Sequence, residues 1–211
     1  TWKAFAASTR WANIFHHPSW AKLLAECYGY RPFVVVVRDA HGTIRAGLPM
    51  MEVSSPLTER RWMSLPFTDH CSPLYRDMES LEELTNSLVE ISQSSTTPMI
   101  EVRWQLPAHS AIRSYSHFVL HTCKLDPDFD SVANRFHAMH RRNIKTARKR
   151  GVRIAWGRER HHLREFYQLH LQTRRRQGIP VQPWRFFEFV GALVEQGLGF
   201  VLLTYKDHEC L

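Results

Sequence analysis

The run Phe33-Val-Val-Val-Val37, then Asp39-Ala-His-Gly42, then Thr43-Ile-Arg-Ala-Gly-Leu-Pro-Met-Met-Glu-Val53 constrains this chain more than any other stretch. The β-branched run reads as a buried strand, the tetrapeptide as a hairpin turn, and the next apolar stretch as the returning strand. Upstream, Pro18 suits a first helical turn, Trp20, Leu23, Leu24 and Cys27 form an apolar stripe, and Gly29 closes the helix. Downstream, 60–67 reads as a third strand, and 77–94 as an amphipathic helix with an acidic first turn that suits the helix dipole. Residues 98–106 read as a strand in which Ile100, Val102 and Trp104 alternate with Glu101, Arg103 and Gln105, and 118–126 as another strand. Hairpins and flanking helices without a regular βαβα series predict an α/β chain of the α+β kind, with mixed, mostly antiparallel sheets. The glycine fingerprints of dinucleotide sites and phosphate loops are absent.

A second feature is charge. Between Arg135 and Arg176 stand 14 Lys/Arg against only Glu159 and Glu165, a local balance of +12 where the whole protein has +8. The remainder is slightly acidic, so the positive charge is a local device. From Ser131 onward, about 100° per residue puts Val132, Phe136, Met139, Asn143 and Ala147 on one helical face and Arg141, Arg142, Lys145, Arg148 and Lys149 on the other. One face is expected to be buried, with the Asn143 amide needing a partner there. Gly151 is expected as the left-handed terminator, and Asp130 or Ser131 as the N-cap. Asp126-Pro-Asp-Phe-Asp130 is the natural joint, dividing 1–125 from 126–211. A strand at 152–156, a helix with Leu163, Phe166, Tyr167 and His170 on one stripe, a rigid connector at 179–183, a third helix and the strand Gly199-Phe-Val-Leu-Leu-Thr-Tyr205 complete the order.

Such a run of cations can be a solvated face or an anion site, with phosphates favoured because Arg pairs with them bidentately. Five like charges on one face repel unless a counter-anion is present, which favours the second reading.

With 44% apolar residues the chain can bury a core, and no apolar run reaches the roughly 18 residues that span a bilayer. The N-terminus lacks a signal pattern, so a soluble, cytoplasmic protein is expected. Cys27, Cys71, Cys123 and Cys210 are widely spread and read as free thiols. The 13 histidines lack metal-site spacing, so no metal is expected. The last residues read as a strand, a polar turn and the start of another strand. An unpaired edge there gives the expectation of a second domain that is incomplete at its C-terminus.

Thr68-Asp69-His70-Cys71 lies at a strand exit between Pro66 and Pro73. It offers an acid, a base and a thiol, but adjacent side chains point apart, so a ready nucleophile pair is not implied. A proline-fixed loop or a substrate contact through Asp69 and His70 is expected instead. The loop that holds a coenzyme A pyrophosphate, R/Q-x-x-G-x-G/A, is approached by Arg175–Pro180 and Arg148–Arg153. Both fail at the last position, and both glycines follow helices.

FHHPSWAKLLAECYGY, GLPMMEV, SLPFTDHCSPL, EVRWQLP, FHAMHRRNIKTARKRGV and FYQLHLQTRRRQGIPVQPWRFFE, in this order, resemble the FemAB-type branch of the GNAT superfamily, the peptidoglycan interpeptide-bridge aminoacyltransferases. The resemblance implies tandem GNAT-like domains, the first degenerate. It also implies transfer of an aminoacyl group to an amine of a phosphorylated cell-wall or polysaccharide precursor. The co-substrate is then aminoacyl-tRNA or acyl-CoA, with no permanently bound cofactor, and tRNA and a lipid-linked substrate at the membrane surface are the further partners. Arg141, Arg142 and Lys145 are expected at phosphate, and Asn143, Thr173 and Arg174 along the groove. The alternatives are a coenzyme A-dependent small-molecule N-acetyltransferase, which needs a proper pyrophosphate loop, and a non-enzymatic basic nucleic-acid binder.

Overall fold

A computed structural model describes residues 1–55, 58–68, 70–115 and 119–211. The chain forms two compact units, Thr1–Ser114 and Tyr115–Leu211.

The first unit is built on the hairpin. Strands β1 (Arg31–Arg38) and β2 (Ile44–Ser55) pair antiparallel from Arg31 opposite Glu52 to Val37 opposite Ala46. The turn is closed by the Asp39 carboxylate, which accepts from the His41 and Thr43 amides at 2.9 and 2.8 Å. Strand β3 (Thr58–Met63) adds antiparallel to β2, and β4 (Leu74–Tyr75) pairs with β2 at its other end. Ala46, Leu48, Met50 and Met51 of the central strand are fully buried. Helix α1 (Trp2–Ser8) covers Ile44 and Leu74 with Phe5 and Ala6. Gly47 is where Trp2 lies on the sheet, since a Cβ there would stand 2.8 Å from Cζ3 of the indole. Helix α2 (Pro18–Tyr28) packs on β1 and ends at Gly29 in the left-handed region, φ 71°. Helix α3 (Met78–Ser92) starts at the Asp77 cap and packs on β1, β2 and β4.

Two expected strands are shorter than their patterns. The strand expected over 60–67 ends at Met63, and that over 98–106 is only β5 (Met99–Glu101), parallel to β3. The cause is Arg103. Its amide donates to Ser64 Oγ at 2.7 Å, its Nε to Glu101 at 3.1 Å and its Nη1 to the Thr68 carbonyl at 3.3 Å. That clasp pulls both chains out of the ladder, and Leu65 and Phe67 follow with φ 56° and 58°, a region costly for bulky side chains.

In the second unit the strand expected over 118–126 does not form among the described residues 119–126. Val119, Leu120 and Leu125 are exposed without a ladder neighbour, and the Lys124 carbonyl accepts from Arg135 instead. The single basic helix divides into α4 (Phe129–Asn134) and α5 (Ala138–Lys149). Asp128 caps the first, not Asp130 or Ser131, because its carboxylate reaches both of their amides. His137 caps the second through Nδ1. The break undoes the expected stripe. Val132 is buried and Phe136 half-buried, while Met139 and Asn143 are exposed, so the Asn143 amide needs no internal partner.

The remaining elements follow the sequence. Strands β6 (Arg153–Gly157), β7 (Val201–Lys206) and β8 (Glu209–Cys210) make an antiparallel sheet. Helices α6 (Arg160–Gln177) and α7 (Trp184–Glu195) pack together, and Leu163 of α6 forms a core with Val201 and Leu203. The stripe of α6 meets the aromatics of α7: Tyr167 lies 5.3 Å from Trp184 and 5.0 Å from Phe187, ring centre to ring centre. Gly151 and Gly178 both terminate helices with positive φ. The other face of the sheet presents Ile154, Trp156 and Leu202 to solvent.

Candidate functional site

Helix α5 gathers Arg141, Arg142, Lys145, Arg148 and Lys149 within one third of its circumference, at the spacing of successive turns. All five are exposed. Among the described residues none forms an ion pair with a carboxylate, and the Arg141 guanidinium donates only to the Asn134 carbonyl, at 3.0 Å. In the segment ahead of the helix, Asp126 pairs with Arg135 at 2.8 Å and Asp128 accepts from the Asp130 and Ser131 amides. Arg148 and Lys149 in the last turn offset the negative end of the helix dipole; the others have no such internal use. The charge is therefore left for an external anion.

Thr173 and Arg174 stand in the last turn of α6, where Thr173 Oγ1 accepts from Arg176 at 3.5 Å. No hydrogen bond or ion pair among the described residues joins either to Arg141, Arg142, Asn143 or Lys145. Two adjoining hollows in this unit, of about 150 and 450 Å³, are lined by other residues, including Trp156, Arg158, Glu195 and Phe200. Neither is lined by α5.

In the first unit the loop after β3 carries His70, while Asp69 lies outside the described residues. His70 Nε2 faces the Asn13 side-chain amide at 3.4 Å. Asn13 Oδ1 accepts from the Phe15 amide, so it is the NH₂ that meets the imidazole. His70 therefore accepts at Nε2 and carries its proton on Nδ1, a buried atom with no partner among the described residues. Phe15 and Trp104 lie against its ring.

Next to it, His16 is 1% exposed. Its Nδ1 accepts from the Asn13 amide at 3.0 Å, so Nε2 carries the proton donated to the Ser72 carbonyl at 2.8 Å. Burial pushes the His16 pKa down, against the two backbone hydrogen bonds. Cys71 Sγ lies 4.0 Å from the same Nε2. Because that nitrogen already bears a proton, His16 cannot accept the thiol's, and burial pushes the Cys71 pKa up to about 12. The pair is structural, not a nucleophile and base.

Asn13 and His16 were not expected here. The signal was present as the capping spacing of Asn13 and His16 around a 3₁₀ turn at Ile14–His16. The link to Ser72, 56 residues away in sequence, was not. Tyr28 and Phe67 stack at 4.6 Å beside this loop, an aromatic contact that depends on the positive φ of Phe67. Among the described residues no three His, Cys, Asp or Glu side chains converge as a metal site, and no helix is long and apolar enough to cross a membrane.

The model of the FemAB family matches residues 102–204, a span holding α4, α5, β6, α6, α7 and the first part of β7. The crystal structure of FemX is similar in fold, with a TM-score of 0.66 at 18% sequence identity. The alignment covers 96% of this chain and 55% of the FemX chain, so the chain spans about half the length of that relative. No curated protein matches the sequence.

Proposed function

We propose that this chain, whose residues 102–204 match the FemAB family model, serves an acyl or aminoacyl transferase that modifies an amine of a phosphorylated, peptidoglycan-type cell-envelope precursor in the cytoplasm. The observation that carries the reading is the unpaired cationic face of α5, which lies wholly within the family match. Arg141, Arg142 and Lys145 hold phosphate oxygens of the precursor or of the donor, as Arg does wherever a planar fork meets phosphate. Asn143, Thr173 and Arg174 shape the groove, and Asp69 and His70 contact the acceptor. The two units correspond to tandem GNAT-like domains.

The donor is aminoacyl-tRNA. The neutral acceptor amine attacks the ester carbonyl, a C–N bond forms, the C–O bond to the terminal ribose breaks, and the ribose hydroxyl leaves with a proton. Holding the two substrates in line is the main catalytic term. An acyl-CoA donor, with a thiol leaving group, is the second reading. It ranks lower because Gly151 and Gly178 end helices in left-handed conformations, whereas a pyrophosphate loop needs amides free at a helix start.

The test is binding of a nucleotide-linked pentapeptide precursor and of tRNA to the whole chain and to Arg142→Glu/Lys145→Glu. A loss of about tenfold or more is expected for at least one ligand, since each charge-assisted contact is worth about 1.5–3 kcal/mol. Unchanged affinity for both removes α5 from the site.

A further inference from the structure

Helix α5 has no buried residue. A helix of a globular unit normally hides one stripe, and here none is hidden. Met139 and Ile144, 48% and 42% exposed, border the cationic arc on its two sides. Just before the helix Leu125 and Phe129 are 74% and 66% exposed. They are not remote from it. The Arg135 guanidinium, in the joint between α4 and α5, holds both the Asp126 carboxylate and the Lys124 carbonyl, fastening that segment to the start of the helix. Cations and apolar side chains are thus both left uncovered on this helix and the segment ahead of it.

We propose that α5, with Leu125 and Phe129, is a docking element for an anionic lipid bilayer. Phosphate headgroups meet Arg141, Arg142, Lys145, Arg148 and Lys149, and Met139, Ile144, Leu125 and Phe129 enter the boundary between headgroups and acyl chains. A short amphipathic helix of high charge and low overall hydrophobicity lies in the plane of such an interface, and clusters of four to eight basic residues are drawn to anionic leaflets. A small phosphorylated ligand alone leaves Met139, Ile144, Leu125 and Phe129 without a role. A nucleic acid uses the cations but leaves the aliphatic side chains of Leu125, Met139 and Ile144 idle.

The inference goes beyond the transferase reading, and its test contains no precursor, tRNA or acyl donor, so either can fail alone. The whole chain is sedimented with phosphatidylcholine vesicles, with and without about one third phosphatidylglycerol. Binding is expected only with the anionic lipid and is expected to fall steeply from about 0.1 M to about 0.5 M salt, as screening shortens. Arg148→Glu/Lys149→Glu is expected to weaken it about tenfold, and Leu125→Ser/Ile144→Ser severalfold, with unchanged circular dichroism because all four side chains are exposed. No preference for anionic vesicles overturns the proposal. So does binding that ignores Leu125→Ser/Ile144→Ser while an RNA duplex binds tightly and competes; that outcome assigns the ridge to nucleic acid.

Discussion

His16 shows how much one side chain can fix. It is neutral, buried and used at both nitrogens, receiving from the Asn13 amide and giving to the Ser72 carbonyl. Its pKa is lowered in the folded chain, so the unfolded chain binds the proton first as pH falls. Stability that is constant above about pH 7 is therefore expected to drop below the unfolded value of about 6.5, and to go on dropping until the folded pKa is passed. Urea unfolding of the wild type and His16→Gln at a series of pH values checks this. The variant is expected to lose about 1–3 kcal/mol near neutrality and most of the slope between pH 6.5 and 5. An undiminished slope assigns the titration to another group. At this scale the sequence was partly legible: the cap spacing could be read, but a histidine satisfied by a distant carbonyl looks like any other histidine.

At the scale of elements, alternation marked strands correctly where a partner strand existed and overran where one did not. Ile100, Val102 and Trp104 alternate as a strand should, yet β5 stops at Glu101 because Arg103 spends its amide and guanidinium on Ser64, Glu101 and Thr68. Nothing in a period of two reports that competition. Arg103→Ala is expected to release the positive-φ turn at Leu65 and Phe67. Amide exchange over 64–68 should rise about tenfold or more while that in α3 stays unchanged. Equal protection in the two proteins means the prolines alone hold the loop. The basic helix failed in another way. Its 3.6-residue period runs through Arg135–His137, but the Arg135 guanidinium is drawn back to Asp126 and Lys124, and His137 starts a new helix.

For the whole molecule, charge asymmetry was readable at once and the uncovered surfaces were not. The cations between Arg135 and Arg176 stood out by counting, and the family match includes them all. Which apolar residues would remain in solvent, such as Ile154, Trp156 and Leu202 on one face of the second sheet, depends on what is absent around them, and a linear pattern holds no record of it. The seat of Trp2 has the opposite character, for it is filled to contact. Its ring lies over Gly47, and its Nε1 donates to the His16 carbonyl at 2.9 Å. In Trp2→Gly that seat becomes a slot with a floor and a waiting acceptor, at a cost of about 2–4 kcal/mol. Free indole has the matching outline and the same N–H, so adding it should raise the melting temperature of the variant and leave the wild type unmoved, a chemical rescue in which a solvent-borne fragment replaces a missing piece of the polypeptide.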